Sequence, residues 1–182
     1  MSTEKSKKIS IRTVERLNST NTDTAVQAIE ELKETGNVHY IPVLVELLHT
    51  TDSPEVKSQI RMLLAEIKQS DAIPLFIQAI ENKKYANELQ PLVSACWENG
   101  LDYSMHLSLF IDLVSEQELL VAFEAYTVIT NMSGRISKEI VEKESRKLKD
   151  AMLQTNDQKK ELMHDLLHFL PAFERGIEPQ SY

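Results

Sequence analysis

Glycine and proline are scarce in this 182-residue chain, which has four of the first and six of the second. A many-stranded sandwich or barrel needs turn-formers every few residues, so these counts exclude it and favour helices. Aromatic residues make up 6% of a chain that is 42% hydrophobic, so the core must rest on Leu, Ile, Val, Ala and Met. The one cysteine, Cys96, excludes an internal disulfide framework and fits a reducing compartment. No stretch approaches the ~18 apolar residues of a membrane span. MSTEKSKKIS has no apolar run after its lysines, so no secretory signal is read there. The expected location is the cytoplasm, and the glycosylation patterns at Asn18-Ser19-Thr20 and Asn131-Met132-Ser133 then carry no meaning. Positive charge is short as well. A net charge of −8 and a pI near 5.2 argue against a dedicated DNA or RNA binder. Residues 1–20 are the exception, with Lys5, Lys7, Lys8, Arg12 and Arg16 against Glu4 and Glu15. That basic end fits an acidic partner or membrane surface, and equally a solvated helix end.

What the chain does have is internal repetition. YIPVLVELL from Tyr40, AIPLFIQAI from Ala72 and SLFIDLV from Ser108 superpose as Leu44/Phe76/Phe110, Val45/Ile77/Ile111, Glu46/Gln78/Asp112 and Leu48/Ile80/Val114. Val14, Glu15 and Leu17 supply an earlier copy of Val45, Glu46 and Leu48. A second element follows each of these, aligned as Ile29, Ile60, Val93 and Phe123, and as Leu32, Leu63, Cys96 and Tyr126. Val56, Ile60, Leu63 and Ile67 are spaced as one face of a helix. Each unit therefore reads as two amphipathic helices, A then B.

Helix punctuation supports the division. Gly36, Gly100 and Gly134 each fall just past a B helix, where a left-handed C′ residue favours glycine. Ser53-Pro54-Glu55 offers a cap, a proline in the first turn and a carboxylate matched to the helix dipole. Ser115 with Glu118 has capping-box spacing, and Asp71 is placed to cap the helix that contains Pro74. Pro91 falls one residue deeper, which predicts a bend or a delayed helix start. Beyond Gly134 the register loosens. Ile136, Ile140, Leu148 and Met152 form one stripe, and Leu162, Leu166, Phe169 and Leu170 mark a last helix that Pro171 ends.

The expected architecture is all-α: a right-handed α-solenoid of about five antiparallel helix pairs in one domain over 1–182. Four matched pairs occupy about 10–134 and a divergent capping pair occupies 135–171, with flexible tails at 1–8 and 174–182. Thr35-Gly36-Asn37 through Ile41-Pro42, and Ser70-Asp71-Ala72-Ile73-Pro74, together with the D-S-P-E-V turn, resemble the HEAT-repeat family over about residues 10–134. The period of 31–34 is shorter than the ~40–47 of long HEAT and armadillo units. It is closer to the short HEAT-like class associated with bilin lyases and bacterial repeat proteins. The tetratricopeptide and ankyrin signature residues are missing.

Catalytic patterns are few. His164-Asp165-Leu166-Leu167-His168 places two histidines at i and i+4, as in zinc-binding His-Glu-x-x-His. Aspartate stands where that motif has glutamate, and no third ligand follows. The pair reads instead as two polar positions beside the Leu162–Leu166–Leu170 stripe of a surface helix. Cys96 aligns with core positions, so it reads as a small buried hydrophobe and not as a nucleophile. No phosphate-binding glycine loop, nucleophile elbow or paired-cysteine metal site occurs. No catalytic residue, metal or cofactor is assigned, and the chain is read as a non-enzyme.

What remains is surface. In stacked helix pairs the B helices line the concave side. With Val56, Ile60 and Leu63 inward, the open stripe is Lys57, Arg61 and Lys68, then Gln90, Ser94 and Glu98, then Val121, Glu124 and Val128. Trp97 lies beside it. Lys57, Arg61, Gln90, Ser94, Trp97 and Glu124 are the expected contact residues for a protein partner. What the HEAT resemblance adds is two other readings. One is a DNA-alkylation glycosylase, which the acidic chain disfavours. The other is a lyase or chaperone for a protein-bound chromophore.

Overall fold

Apolar residues recurring every three or four positions make helices the only way to bury one face. The computed structural model describes residues 9–35, 37–155 and 157–175, and its regular structure there is entirely helical. The first helix pairs are α1 (Ile11–Leu17) with α2 (Thr22–Thr35), α3 (Ile41–Thr50) with α4 (Pro54–Glu66), and α5 (Ile73–Glu81) with α6 (Leu89–Glu98). Then follow α7 (Leu107–Glu116) with α8 (Leu119–Thr130), α9 (Lys138–Met152) with α10 (Asp157–Phe169), and a single turn, α11 (Ala172–Arg175). Short 3₁₀ turns at Val38–Tyr40, Ser70–Ala72, Lys83–Glu88 and Ser104–His106 lead into α3, α5, α6 and α7. No helix among the described residues is long and apolar enough to cross a membrane.

The chain divides into two units, Met1–Asn99 and Gly100–Tyr182. In the first, α2 packs on α4 and α4 on α6, while α3 packs on α5. Within the second, α8 packs on α10 and α7 on α9. B helices thus stack on B helices and A helices on A helices, each unit burying what a lone pair would expose. The aligned A positions are the core. Leu17, Leu48, Ile80 and Val114 are buried, as are Leu44, Phe76 and Phe110. Each such side chain contributes roughly 1.5–3 kcal/mol.

In the B helices the inward positions are Ala25/Val56/Leu89/Val121, Ile29/Ile60/Val93/Ala125 and Leu32/Leu63/Cys96/Val128, all buried. The alignment of Phe123 with Ile60 and of Tyr126 with Leu63 is therefore two residues out of register. Val121 and Val128, expected on the open stripe, are 3% and 2% exposed, whereas Phe123 is 54% exposed. A similar correction applies to α9, where Val141, Glu144 and Leu148 face inward and Ile140 points out.

Several punctuation marks act as expected. Ser53 Oγ accepts the Val56 amide at 3.3 Å with Pro54 in the first turn of α4. A Ser53→Ala variant is expected to lower stability by about 1 kcal/mol in chemical unfolding, with helicity retained. Pro74 lies in the first turn of α5, and Pro91 follows a 3₁₀ stretch kinked at Tyr85, so α6 starts late. Three expectations fail. Asp71 sits in the 3₁₀ turn before α5, whose cap residue Ala72 makes no side-chain bond. Ser115 donates back to the Ile111 carbonyl, so it does not cap α8. Gly134 is not left-handed, although Gly100 is, at φ 66°. Gly36 lies outside the described residues.

Candidate functional site

Helical spacing sets the same polar positions of α4 and α6 side by side, because these two helices pack together. Lys57, Gln90 and Ser94 are half-buried, and Arg61 and Trp97 are exposed. The Ser94 hydroxyl donates to Glu98 Oε1 at 2.6 Å. Trp97 departs from its equivalents in α4 and α8. Leu64 and Ile129 occupy the corresponding places there and are fully buried, Lys33 occupies it in α2 and is half-buried, and Trp97 is 36% exposed. Lys68 closes this surface at one end. Its Nζ donates to the carbonyls of Glu98 and Asn99 at 3.3 and 2.7 Å, placing a cation at the negative end of the α6 dipole. Glu124 belongs to α8 in the second unit and is half-buried.

The residues weighed for chemistry are placed as follows. Cys96 is buried and its thiol points to the Leu92 carbonyl at 3.4 Å. His164 and His168 are exposed, with Nε2 atoms 3.3 Å apart and rings edge to face. His164 also lines an open cleft of about 410 Å³ with Met152, Lys160, Glu161 and Asp165. Among the described residues no three His, Cys, Asp or Glu side chains group as a metal site.

Two features escaped the sequence reading. The first joins α7 to α9. Glu144 is fully buried, accepts from the Ser108 hydroxyl at 2.6 Å, and lies 2.9 Å from Lys147 Nζ, which also reaches Asp112 at 2.6 Å. Glu144 Oε2 has this ion-pair contact but no well-directed hydrogen bond. Burial pushes the Glu144 carboxyl up, but the Ser108 hydroxyl and Lys147 outweigh it and hold it below its usual value. Burial likewise pushes Lys147 down, and its two carboxylates carry it above its usual value. The polar pattern Glu46/Gln78/Asp112 was visible, but the buried partner came from a helix whose apolar stripe was misjudged. The second feature is the outward side of α8. Leu120 is 67% exposed, and Phe123 stacks on Tyr126 with ring centroids 6.4 Å apart. A signal for it exists in the sequence: LLVAFEAYTVIT has one charge, so an apolar residue must fall on every side.

Pairs of helices stacked like on like define an all-α helical repeat protein. Residues 12–95 match the family model of HEAT repeats, which supports a HEAT-like repeat reading of that stretch. Among solved structures it is similar to an engineered protein determined by crystallography, at 17% identity and a TM-score of 0.42, covering 88% of this chain and 78% of that one. No curated protein matches the chain.

Proposed function

We propose that the chain is a non-catalytic protein-interaction scaffold of the cytoplasm. Its partner is held on the B-helix surface of the first unit around Lys57, Arg61, Gln90, Ser94 and Trp97. HEAT repeats generally serve as protein-interaction scaffolds. The observation that carries the reading is the exposure of Trp97, where α4 and α8 bury leucine and isoleucine and α2 has Lys33. Tryptophan and arginine are enriched among the few residues that carry most of the binding energy at protein interfaces, and Trp97 and Arg61 are both exposed on these packed helices. Affinity capture followed by mass spectrometry tests this. Proteins retained by the wild type should be lost with Lys57→Glu/Arg61→Glu and with Trp97→Ala, while far-UV circular dichroism stays unchanged. Addition of a captured partner should also shift the emission of Trp97, the chain's one tryptophan. If all three proteins retain the same set, this surface is not the binding site.

A further inference from the structure

A helix that is apolar on every side is normally covered on every side. On α8 the inner face of Val121, Ala122, Ala125, Val128 and Ile129 is buried, while Leu119, Leu120 and Phe123 are 36%, 67% and 54% exposed. Leu120 and Phe123 are three residues apart, as are Phe123 and Tyr126, so the three share one helix face. The near-parallel Phe123 and Tyr126 rings, 23° between planes, extend that face as an aromatic shelf. Exposed apolar side chains scattered singly mean little, but a contiguous set marks an interaction surface.

Charge on the segment that carries the shelf has one sign, although α10 brings Lys159 and Lys160 near it. Residues 112–134 carry Asp112, Glu116, Glu118 and Glu124 and no lysine or arginine. Glu116 and Glu118 are exposed at the start of α8. On the neighbouring α10, Asp165 is exposed and close enough to Tyr126 that, after burial, it is the second cause raising the phenol. The Lys159 ammonium, which is near Glu116, is engaged with the Ser115 and Gln117 carbonyls at 2.8 and 2.7 Å. An apolar aromatic strip with an acidic border complements a helix with aliphatic anchors and flanking lysine or arginine, whose cations also suit the faces of Phe123 and Tyr126. The same border repels an anionic lipid surface.

We infer that the outward face of α8, Leu120, Phe123 and Tyr126 bordered by Glu118 and Asp165, is a docking site for a basic amphipathic helix of a partner protein. This rests on the reading of the B-helix faces as protein-binding, and it names the kind of partner for the second unit.

The test is fluorescence anisotropy of the full-length chain with a labelled synthetic helix bearing leucines on one face and lysines on the other. A matched peptide with glutamates in place of the lysines serves as control. The Leu/Lys peptide should bind, and Leu120→Ala/Phe123→Ala should weaken it at least about tenfold. Glu118→Lys/Asp165→Lys should weaken it about fivefold, the scale of exposed ion pairs. Alanine favours helix, so circular dichroism should show the first variant folded. Lys57→Glu/Arg61→Glu should bind as the wild type does, which separates this site from the first-unit surface. Equal binding of the Leu/Glu peptide, or unchanged affinity in the Leu120/Phe123 variant, would overturn the proposal. So would Phe123-dependent binding to phosphatidylserine vesicles without peptide binding, or Phe123-dependent self-association of the chain that excludes the peptide.

Discussion

Replacing Lys147 with methionine is expected to cost about 3 kcal/mol at neutral pH, because it strands a buried carboxylate. Glu144 is fully buried, and after the substitution the Ser108 hydroxyl and the exposed Lys143 ammonium, 3.6 Å from Oε1, would be what is left facing its charge. Methionine keeps the apolar stem of the side chain, so the loss reports the ammonium and not the packing. The pH dependence distinguishes this from a general loosening. In the wild type the Glu144 carboxyl is held below its usual value, with burial opposing and Ser108 and Lys147 prevailing. Its contribution is therefore complete above the unfolded carboxyl pKa and lost as pH falls through the folded one. Without Lys147, burial dominates and the folded pKa rises, so the variant recovers by taking up a proton. The stability gap between wild type and variant should narrow as urea unfolding is moved from neutral pH toward the carboxylate range. Adding Glu144→Gln to Lys147→Met should restore part of the loss at neutral pH, as coupled neighbours do. A gap constant with pH would mean that Glu144 does not sense Lys147.

Gly134→Ala is expected to destabilise by about 2 kcal/mol, for a reason unlike that of a helix-stop glycine. A Cβ there would sit 2.7 Å from Asp102 Oδ2 and 2.8 Å from both Cβ and Oγ of Ser104. Those atoms have little freedom to yield. Asp102 Oδ1 accepts from the Ser104 and Ser133 amides at 3.2 Å each, and Ser104 Oγ accepts the Gly134 amide at 2.9 Å. Burial pushes the Asp102 carboxyl up, yet the Ser104 hydroxyl and the neighbouring amides bring it below its usual value. Its share of stability is thus present above the unfolded aspartate pKa and lost as pH falls through the folded one. Gly100→Ala should differ in kind. Nothing lies within 4 Å of a Cβ there, but φ is 66°, so the cost of about 1 kcal/mol comes from the left-handed backbone alone. Thermal unfolding of the two variants should separate these cases. In a double-mutant cycle, Asp102→Ala, which removes the Oδ2 contact, should reduce the Gly134→Ala penalty and leave the Gly100→Ala penalty unchanged.

The two glycines show where local pattern stops being informative. Both follow a B helix, and by spacing alone both read as left-handed stops. Only Gly100 is one, because the demand on Gly134 comes from Asp102 and Ser104, some thirty residues earlier in the chain. The capping serines behave alike. Ser53 caps α4 because its bond closes within three residues, whereas Ser115 has the helix-internal Ile111 carbonyl as an equally close partner and takes it.

Helix identity and pairing, along with the inward faces of α2 to α7, were legible from periodicity and repeat spacing. In those helices polar and apolar residues separate cleanly around the axis, so only one rotation hides the apolar side. LLVAFEAYTVIT offers no such contrast, and α8 satisfies the hydrophobic pattern in more than one rotation. Packing against α7 and α10 selects the rotation that buries the small and β-branched residues and turns Phe123 outward. In α9 the inward stripe includes a glutamate, which hydrophobic periodicity assigns to solvent and which is buried because Ser108 and Lys147 meet it there. Repetition along the chain thus specifies the helices and their pairing. Which residues of α8 face outward, and the burial of Glu144, depend on neighbours distant in sequence, and no local pattern fixes either.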